Sequence, residues 1–126
     1  MITFSVKGLP IPQGSMKVIN GHMIHSQGSA LTGWRSQIGY AARAAGAKPH
    51  LEAVHIEMIF TMPRPKTVTR PEPSVAPDLD KLVRAVLDGL TAIAYRDDGQ
   101  VTSLNATKEY GVEPGVWVQM WAKMPV

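Results

Sequence analysis

Four aspartates flank one apolar segment, in the stretch PDLDKLVRAVLDGLTAIAYRDD of residues 77–98. Asp78 and Asp80 precede the segment, and Asp97 and Asp98 follow it. Carboxylates that gather in one place repel one another unless a cation neutralises them. Mg²⁺ and Mn²⁺ prefer such oxygen ligands and support phosphodiester hydrolysis when they keep open coordination positions. If the aspartates converge, they therefore predict a divalent-metal site that faces phosphate.

Each aspartate also has a purely structural interpretation. Asp78 stands where an N-cap residue would accept a backbone N–H, and Asp80 in the first turn complements the helix dipole. Asp97 and Asp98 precede Gly99, and D-D-G is a turn signal. A helix here would be about 20 Å long by its rise, so the two pairs meet only if the next strand runs back along it. The sequence permits either interpretation.

The segment between the aspartates is the clearest helix, which we predict over residues 79–93. Its polar residues Asp80, Lys81, Arg84 and Asp88 fall on one arc. The apolar residues fall on the opposite arc at 100° per residue and form the expected buried face: Leu79, Leu82, Val83, Val86, Leu87, Leu90 and Ile93.

Two earlier segments alternate between apolar and polar residues and predict strands, over residues 2–7 and 51–62. A further segment, residues 30–48, repeats its apolar residues at helical spacing, and Gly46 is a plausible stop for that helix. Glycines and prolines over residues 8–28 predict a long loop or an irregular hairpin. That loop follows the first strand and can reach the edge of the sheet, where its residues Gln13, Ser15 and Lys17 are secondary site candidates.

A proline-rich segment over residues 63–77 separates the second strand from the aspartates. Proline at this density excludes a helix interior or a central strand, so we expect an extended, mobile loop. Arg64, Lys66 and Arg70 make it basic, and a basic loop beside a metal site is suited to holding a DNA backbone.

The last two strands are predicted over residues 100–111 and 116–124, with V-E-P-G as the turn between them. We therefore expect them to pair as an antiparallel hairpin. The order β-α-β-α-β-β predicts a single α/β (α+β) domain over residues 1–126, in which two helices pack on a mixed four-stranded sheet.

Composition removes several classes of function. The chain has no cysteine, which excludes a disulfide framework, a thiolate-ligated zinc site and a thiol nucleophile. We recognise no signal peptide or membrane span in the N-terminal sequence. The formal net charge of +3 is a mild preference for polyanions.

The motifs DLDKLVRAVLDGL, YRDDGQV and ATKEYG together resemble the RusA-type Holliday junction resolvases. The resemblance extends over most of the chain and is most specific over residues 78–110. It implies a small, dimeric, Mg²⁺-dependent endonuclease of a kind often encoded by phages and prophages. It also implies that Asp78, Asp80 and Asp98 are the metal-binding acids, with Asp97 as the acidic neighbour of the third.

The resemblance also assigns the basic residues, with two departures from the family pattern. Arg84 falls where a functionally important lysine is common, and Lys81 falls where an asparagine is common. Arginine can hold phosphate but cannot donate a proton as lysine can, so we expect Arg84 to be a phosphate clamp. Lys108 matches a lysine in the following strand, and contact with DNA or ordinary exposure explains it equally well. The basic loop with Arg64, Lys66 and Arg70 would grip the DNA backbone.

The implied function is paired, symmetrical cleavage of a four-way DNA junction by a homodimer, in the cytoplasm of a bacterium or a phage-infected cell. Mg²⁺, or Mn²⁺ as a substitute, would be the cofactor, with no organic cofactor and no membrane partner. Three alternatives stay open: a metal-dependent nuclease for forks, flaps or other branched DNA, a non-catalytic DNA-binding dimer, and a small-molecule-binding α/β domain.

Overall fold

The strands and helices are taken from a computed structural model that describes residues 1–14, 16–19, 22–25 and 28–123. A short 3₁₀ turn, Asp98–Gln100, precedes the fifth strand. The elements are β1 (Ile2–Lys7), β2 (Met16–Ile19), β3 (His22–His25), α1 (Gly28–Ala44), β4 (Val54–Met62), α2 (Leu79–Leu90), β5 (Val101–Tyr110) and β6 (Gly115–Ala122).

The main sheet is mixed and has the strand order β1-β6-β4-β5. β4 and β5 are parallel, whereas β6 is antiparallel to both β4 and β1. With α1 and α2 packed on it, this is the predicted arrangement of two helices on a mixed four-stranded sheet. The expected irregular hairpin within residues 8–28 is present as the separate antiparallel pair β2–β3.

The core lies between the helices and one face of the sheet. In β4, the alternate residues Val54, Ile56, Met58, Phe60 and Met62 are all buried, as their spacing predicts. The described part of β6 contributes buried residues to the same core. The predicted last residue of that strand, Met124, lies outside the described residues.

The predicted hairpin of the last two strands is wrong, because β4 lies between β5 and β6. The reason is burial. β6 carries the buried residues Val116, Val118 and Met120 and takes a central position, whereas β5 is mostly exposed and takes the edge. The chain between them crosses the end of β4, where the Gly111 N–H donates to the carbonyl of Met62 at 3.0 Å.

The two helices approach closely at a glycine. A Cβ at Gly89 would lie 2.9 Å from the carbonyl oxygen of Arg35 and 3.2 Å from Ile38 Cβ. Only a hydrogen at this position lets α2 pack directly on α1. In the described part of the chain, neither helix has the length and apolar character needed to cross a membrane.

Candidate active site

The N-terminus of α2 presents Asp78 and Asp80 at the surface. Asp78 is the N-cap residue by position, with φ −68° and ψ 140°, but its side chain makes no capping hydrogen bond. The Asp78 side chain is 63% exposed, and among the described residues its closest cation, Lys81 Nζ, is 4.0 Å away. The capping interpretation of Asp78 is therefore wrong for this structure, and the carboxylate is available for another role.

Arg84 and Asp98 form the closest charged contact of the site. Arg84 lies one helical turn after Asp80, and its Nη1 donates to Asp98 Oδ2 at 2.6 Å. Asp80 and Arg84 line one shallow depression with the apolar residues Val83 and Leu104. The structure thus brings Asp80, Arg84 and Asp98 to one side of α2.

Asp78 does not join them. It lines a different cleft, together with Lys81. The register explains this separation: Val101 at the start of β5 pairs with Val54, whereas Tyr110 at its end pairs with Met62, the last residue of β4. Lys108, near the end of β5, donates to the carbonyl oxygen of Pro77 just before Asp78, whereas Asp98 precedes the start of β5, so Asp78 and Asp98 lie toward opposite ends of this strand. Among the described residues, no three His, Cys, Asp or Glu side chains lie together as a metal-binding group.

The turn that carries Asp97 and Asp98 is held by Gln100. Its Oε1 accepts from the backbone N–H groups of Arg96, at 2.9 Å, and Asp97, at 3.0 Å. Its Nε2 donates to the carbonyl oxygens of His50 and Glu52. Sequence reasoning did not identify Gln100, although Asp97 and Gln100 have the spacing of a capping box.

Tyr95 anchors the other end of the same connection. It is fully buried, and its hydroxyl donates to the carbonyl oxygen of Leu87 at 2.7 Å. Burial raises the pKa of this phenol far above its usual range, with a smaller contribution in the same direction from the Asp98 charge. The helix ends at Leu90 rather than at the predicted residue 93, because Thr91 is extended, with φ −61° and ψ 132°, and Ala92 has a positive φ of 71°.

The basic loop over residues 63–77 is fastened by Tyr110, which sequence reasoning also missed. The guanidinium of Arg64 lies 4.5 Å from the centre of the Tyr110 ring, and Arg70 Nε donates to its hydroxyl at 3.0 Å. Arg64 Nη1 also donates to the carbonyl oxygen of Arg70 at 2.6 Å. Both arginines therefore use part of their hydrogen-bonding capacity in contacts within the protein.

The three lysines of the predicted DNA surface have different surroundings. Lys108 Nζ donates to the carbonyl oxygens of Val75, at 2.7 Å, and Pro77, at 2.8 Å. It thereby fixes the backbone that leads directly into Asp78. Lys66 is exposed on the loop, and Lys81 lies beside Asp78.

The loop after β1 reaches the site, as expected. The backbone N–H of Gln13 donates to the carbonyl oxygen of Lys81 at 3.0 Å. The Gln13 side chain accepts from Arg35, which also contacts Asp88 at 3.1 Å. The other two candidates of this loop, Ser15 and Lys17, have side chains that lie outside the described residues.

The fold and these residues define a single-domain α+β protein with carboxylates and cations along one surface helix. The family Endodeoxyribonuclease RusA matches residues 8–121, and the chain belongs to this family. It is therefore a member of a family of DNA-hydrolysing nucleases. It is also similar to the uncharacterized protein YqaN of Bacillus subtilis (strain 168), with 29% identity over 136 aligned positions that cover 94% of each chain.

The donor chemistry fits a hard divalent cation. Asp78 and Asp80 are carboxylates at the surface, and no hydrogen bond within the described residues occupies the Asp78 carboxylate as a cap. Oxygen ligands of this kind are those that Mg²⁺ and Mn²⁺ prefer. Asp98 is engaged by Arg84, so it must be shared with, or released from, that guanidinium before it can bind a metal.

Proposed function

We propose that this protein is a Mg²⁺-dependent endodeoxyribonuclease that resolves Holliday junctions by paired, symmetrical phosphodiester hydrolysis as a homodimer. The observation that carries the proposal is Asp78: it stands at an N-cap position without capping the helix, in a chain that belongs to the RusA family. A surface carboxylate that is not used to stabilise the fold is available for a ligand.

In this proposal Asp78, Asp80 and Asp98 hold the metal, with Asp97 as an acidic neighbour, and Mn²⁺ can replace Mg²⁺. A divalent ion bound by carboxylates supplies an activated water and stabilises charge on the phosphoryl oxygens. In the structure Arg84 holds Asp98, and Asp78 lines a different cleft from Asp80, so a shared ion would require these side chains to change position. Gln100 and Lys108 act as positioning residues, because they fix the backbone beside Asp98 and Asp78 respectively.

Arg84 has two roles in the proposed mechanism. In the free protein it neutralises Asp98 across 2.6 Å. When DNA is bound, the guanidinium can turn to a phosphoryl oxygen, where its planar fork stabilises the charge that develops during cleavage. It stays protonated throughout, so the proton for the leaving oxygen must come from another group.

The cations around the site would bind the DNA backbone. Lys66 is exposed, and Arg64 and Arg70 lie on the same loop, held by Tyr110. Lys81 is next to Asp78, and Lys108 lies on β5 with its ammonium group bonded to the loop backbone. Phosphate contacts of this kind give binding that weakens steeply with salt.

The symmetry of the proposed substrate favours a homodimer. A four-way junction presents two equivalent strands about a two-fold axis, and a C2 dimer places one site on each. Two coordinated nicks would leave two duplexes with ends that can be ligated. A DNA substrate of this kind would be met in the cytoplasm of a bacterium or of a phage-infected cell.

Asp80→Asn tests the catalytic assignment. We expect the variant to bind a labelled four-way junction with the affinity of the wild type and to cut it at least about 100-fold more slowly, because the change removes a metal ligand but no phosphate contact. Glu109→Gln, which neutralises an exposed acid on β5, is the matched control. Loss of binding together with cleavage would contradict a purely catalytic role for Asp80.

The second candidate, a nuclease for forks or flaps, uses the same residues and differs only in DNA shape. Competition between four-way and forked substrates separates the two. Metal-independent binding without any cleavage would instead favour the non-catalytic DNA-binding dimer.

A further inference from the structure

An apolar cleft lies directly beside Asp78. Its volume is about 540 Å³, within the range of small-molecule sites. One wall comes from the chain after β1, with Leu9, Ile11 and Pro12, and the facing wall contains Pro77. Met62, at the end of β4, also lines it.

Both walls of the cleft are tied to the helix that carries the site. Gln13 in the first wall is bonded through its backbone N–H to the Lys81 carbonyl at 3.0 Å. The second wall is held by Lys108, whose Nζ donates to the carbonyl oxygens of Val75 and Pro77. The cleft is therefore formed by hydrogen-bonded backbone before any ligand arrives.

The opening of the cleft combines apolar and charged groups. Leu9 is 54% exposed there, although its neighbours are apolar. Asp78 and Lys81 line the same cleft. A smaller cavity shares Leu9 and Pro77 and is lined by Arg70 and Lys108, so cations extend along one side. A ligand with an apolar part and an adjacent anionic group would match this combination of apolar walls and cations.

We propose that this cleft takes one unstacked nucleobase of the DNA strand, from a nucleotide next to the phosphate that is cleaved. This inference rests on the proposed nuclease function. A nucleotide matches the cleft in charge as well as in shape, since its base is largely apolar on its faces and its phosphate pairs with Lys81 and the neighbouring cations. Extrusion of a base costs least where pairing or stacking is already interrupted, as it is at a branch point.

The consequence is a preference for particular bases at the cut. Among the described residues that line the cleft, the polar side chains are those of Gln13, Asp78 and Lys81, and contact between them and the edge of the base would make cleavage depend on the identity of the base. The phosphate contacts of the basic loop carry no such information. Shape recognition by the dimer and base recognition by the cleft would then be separate properties.

The test places 2-aminopurine, whose fluorescence rises when it unstacks, at successive positions around the mapped cut of a four-way junction. Binding is measured in EDTA, so that no cleavage occurs. We expect a rise at one nucleotide next to the cut with the wild type, and less than half of that rise with Leu9→Asn. Leu51→Asn, which changes a leucine that is 66% exposed outside the cleft, is the control and should behave as the wild type.

Cleavage in Mg²⁺ is measured on the same junctions. Loss of the Leu9 contact with the base should slow single-turnover cleavage about five- to tenfold, while thermal unfolding stays unchanged because Leu9 is half exposed. An unchanged fluorescence rise in Leu9→Asn, or no rise at any position with a wild type that binds and cuts, would overturn the cleft assignment alone.

Two further outcomes have distinct meanings. If Leu9→Asn halves the molecular mass in light scattering, the cleft is occupied by a second copy of the chain, and the nucleobase assignment is wrong. If the wild type cuts no branched DNA in any divalent metal, the proposed function fails and the cleft assignment fails with it.

Discussion

Replacement of Arg84 by glutamine removes the guanidinium that contacts Asp98 and leaves a neutral side chain on α2. The two side chains are 51% and 34% exposed and are joined at 2.6 Å. Partly exposed ion pairs contribute about 0.2–1 kcal/mol, so the free energy of unfolding should fall by no more than about 1 kcal/mol. The fold should therefore persist, with a melting temperature lowered by at most a few degrees.

The same change should move metal binding and cleavage in opposite directions. The guanidinium competes with a metal for Asp98, so its removal should tighten Mn²⁺ binding by up to about 1 kcal/mol, or about fivefold. Cleavage should fall by about 100- to 1,000-fold, the usual cost of losing a group that stabilises transition-state charge.

The assay combines titration calorimetry with Mn²⁺ and single-turnover cleavage of a labelled junction. Arg43→Gln is the matched control, since Arg43 is an exposed arginine on α1. Weaker Mn²⁺ binding in Arg84→Gln would show that Arg84 holds Asp98 in place for the metal rather than competing for it. A wild-type cleavage rate would refute the role of Arg84 at the phosphate.

Three further changes test the surroundings of the site. Lys108→Met removes two hydrogen bonds to the backbone before Asp78, and we expect a loss of about 1–3 kcal/mol in unfolding free energy and weaker Mn²⁺ binding. Tyr95→Phe should cost about 0.5–1.5 kcal/mol, since the Leu87 carbonyl keeps its bonds to Thr91. Because burial raises the pKa of Tyr95 in the folded state, the stability that its neutral hydroxyl contributes is complete below the usual pKa of 10.0 and is lost as pH rises. The wild type should therefore lose stability more steeply above pH 10 than Tyr95→Phe. Gly89→Ala should destabilise the fold by about 1–3 kcal/mol, because its Cβ would press on Arg35 and Ile38.

Chemical denaturation followed by circular dichroism measures all three stabilities. For Lys108→Met, unchanged Mn²⁺ affinity would mean that the loop does not position Asp78. Parallel pH profiles of the wild type and Tyr95→Phe would exclude a role for the phenol in alkaline unfolding. A neutral effect of Gly89→Ala would show that the helices can separate without cost.

Local patterns of apolar residues predicted the strands and helices well, because backbone geometry sets the spacing at which side chains return to the same face. The buried face of β4 and the apolar arc of α2 follow directly from alternation and from 100° spacing. The partners of β5 and β6 could not be predicted in this way. A turn between two strands favours a hairpin, whereas the burial of β6 and the polarity of β5 decide their positions in the sheet.

The candidate site likewise combines features that local sequence patterns predict with features that they do not. The spacing of Asp78, Asp80 and Arg84 places them at the N-cap and on the exposed face of one helix. Their positions relative to Asp98 depend on the direction of β5, which the sequence does not specify. The anchoring role of Tyr110 requires knowledge that the basic loop folds back across the end of β5, a contact between residues 40 or more positions apart.

The most direct test of the account is the mapping of cuts in all four strands of a synthetic four-way junction, incubated with the wild-type protein in Mg²⁺ or in EDTA. We predict paired cuts at symmetrical positions in two opposing strands with Mg²⁺, and none in EDTA. Binding without cleavage in every divalent metal tried would contradict the nuclease mechanism and return Asp80 and Asp98 to structural roles.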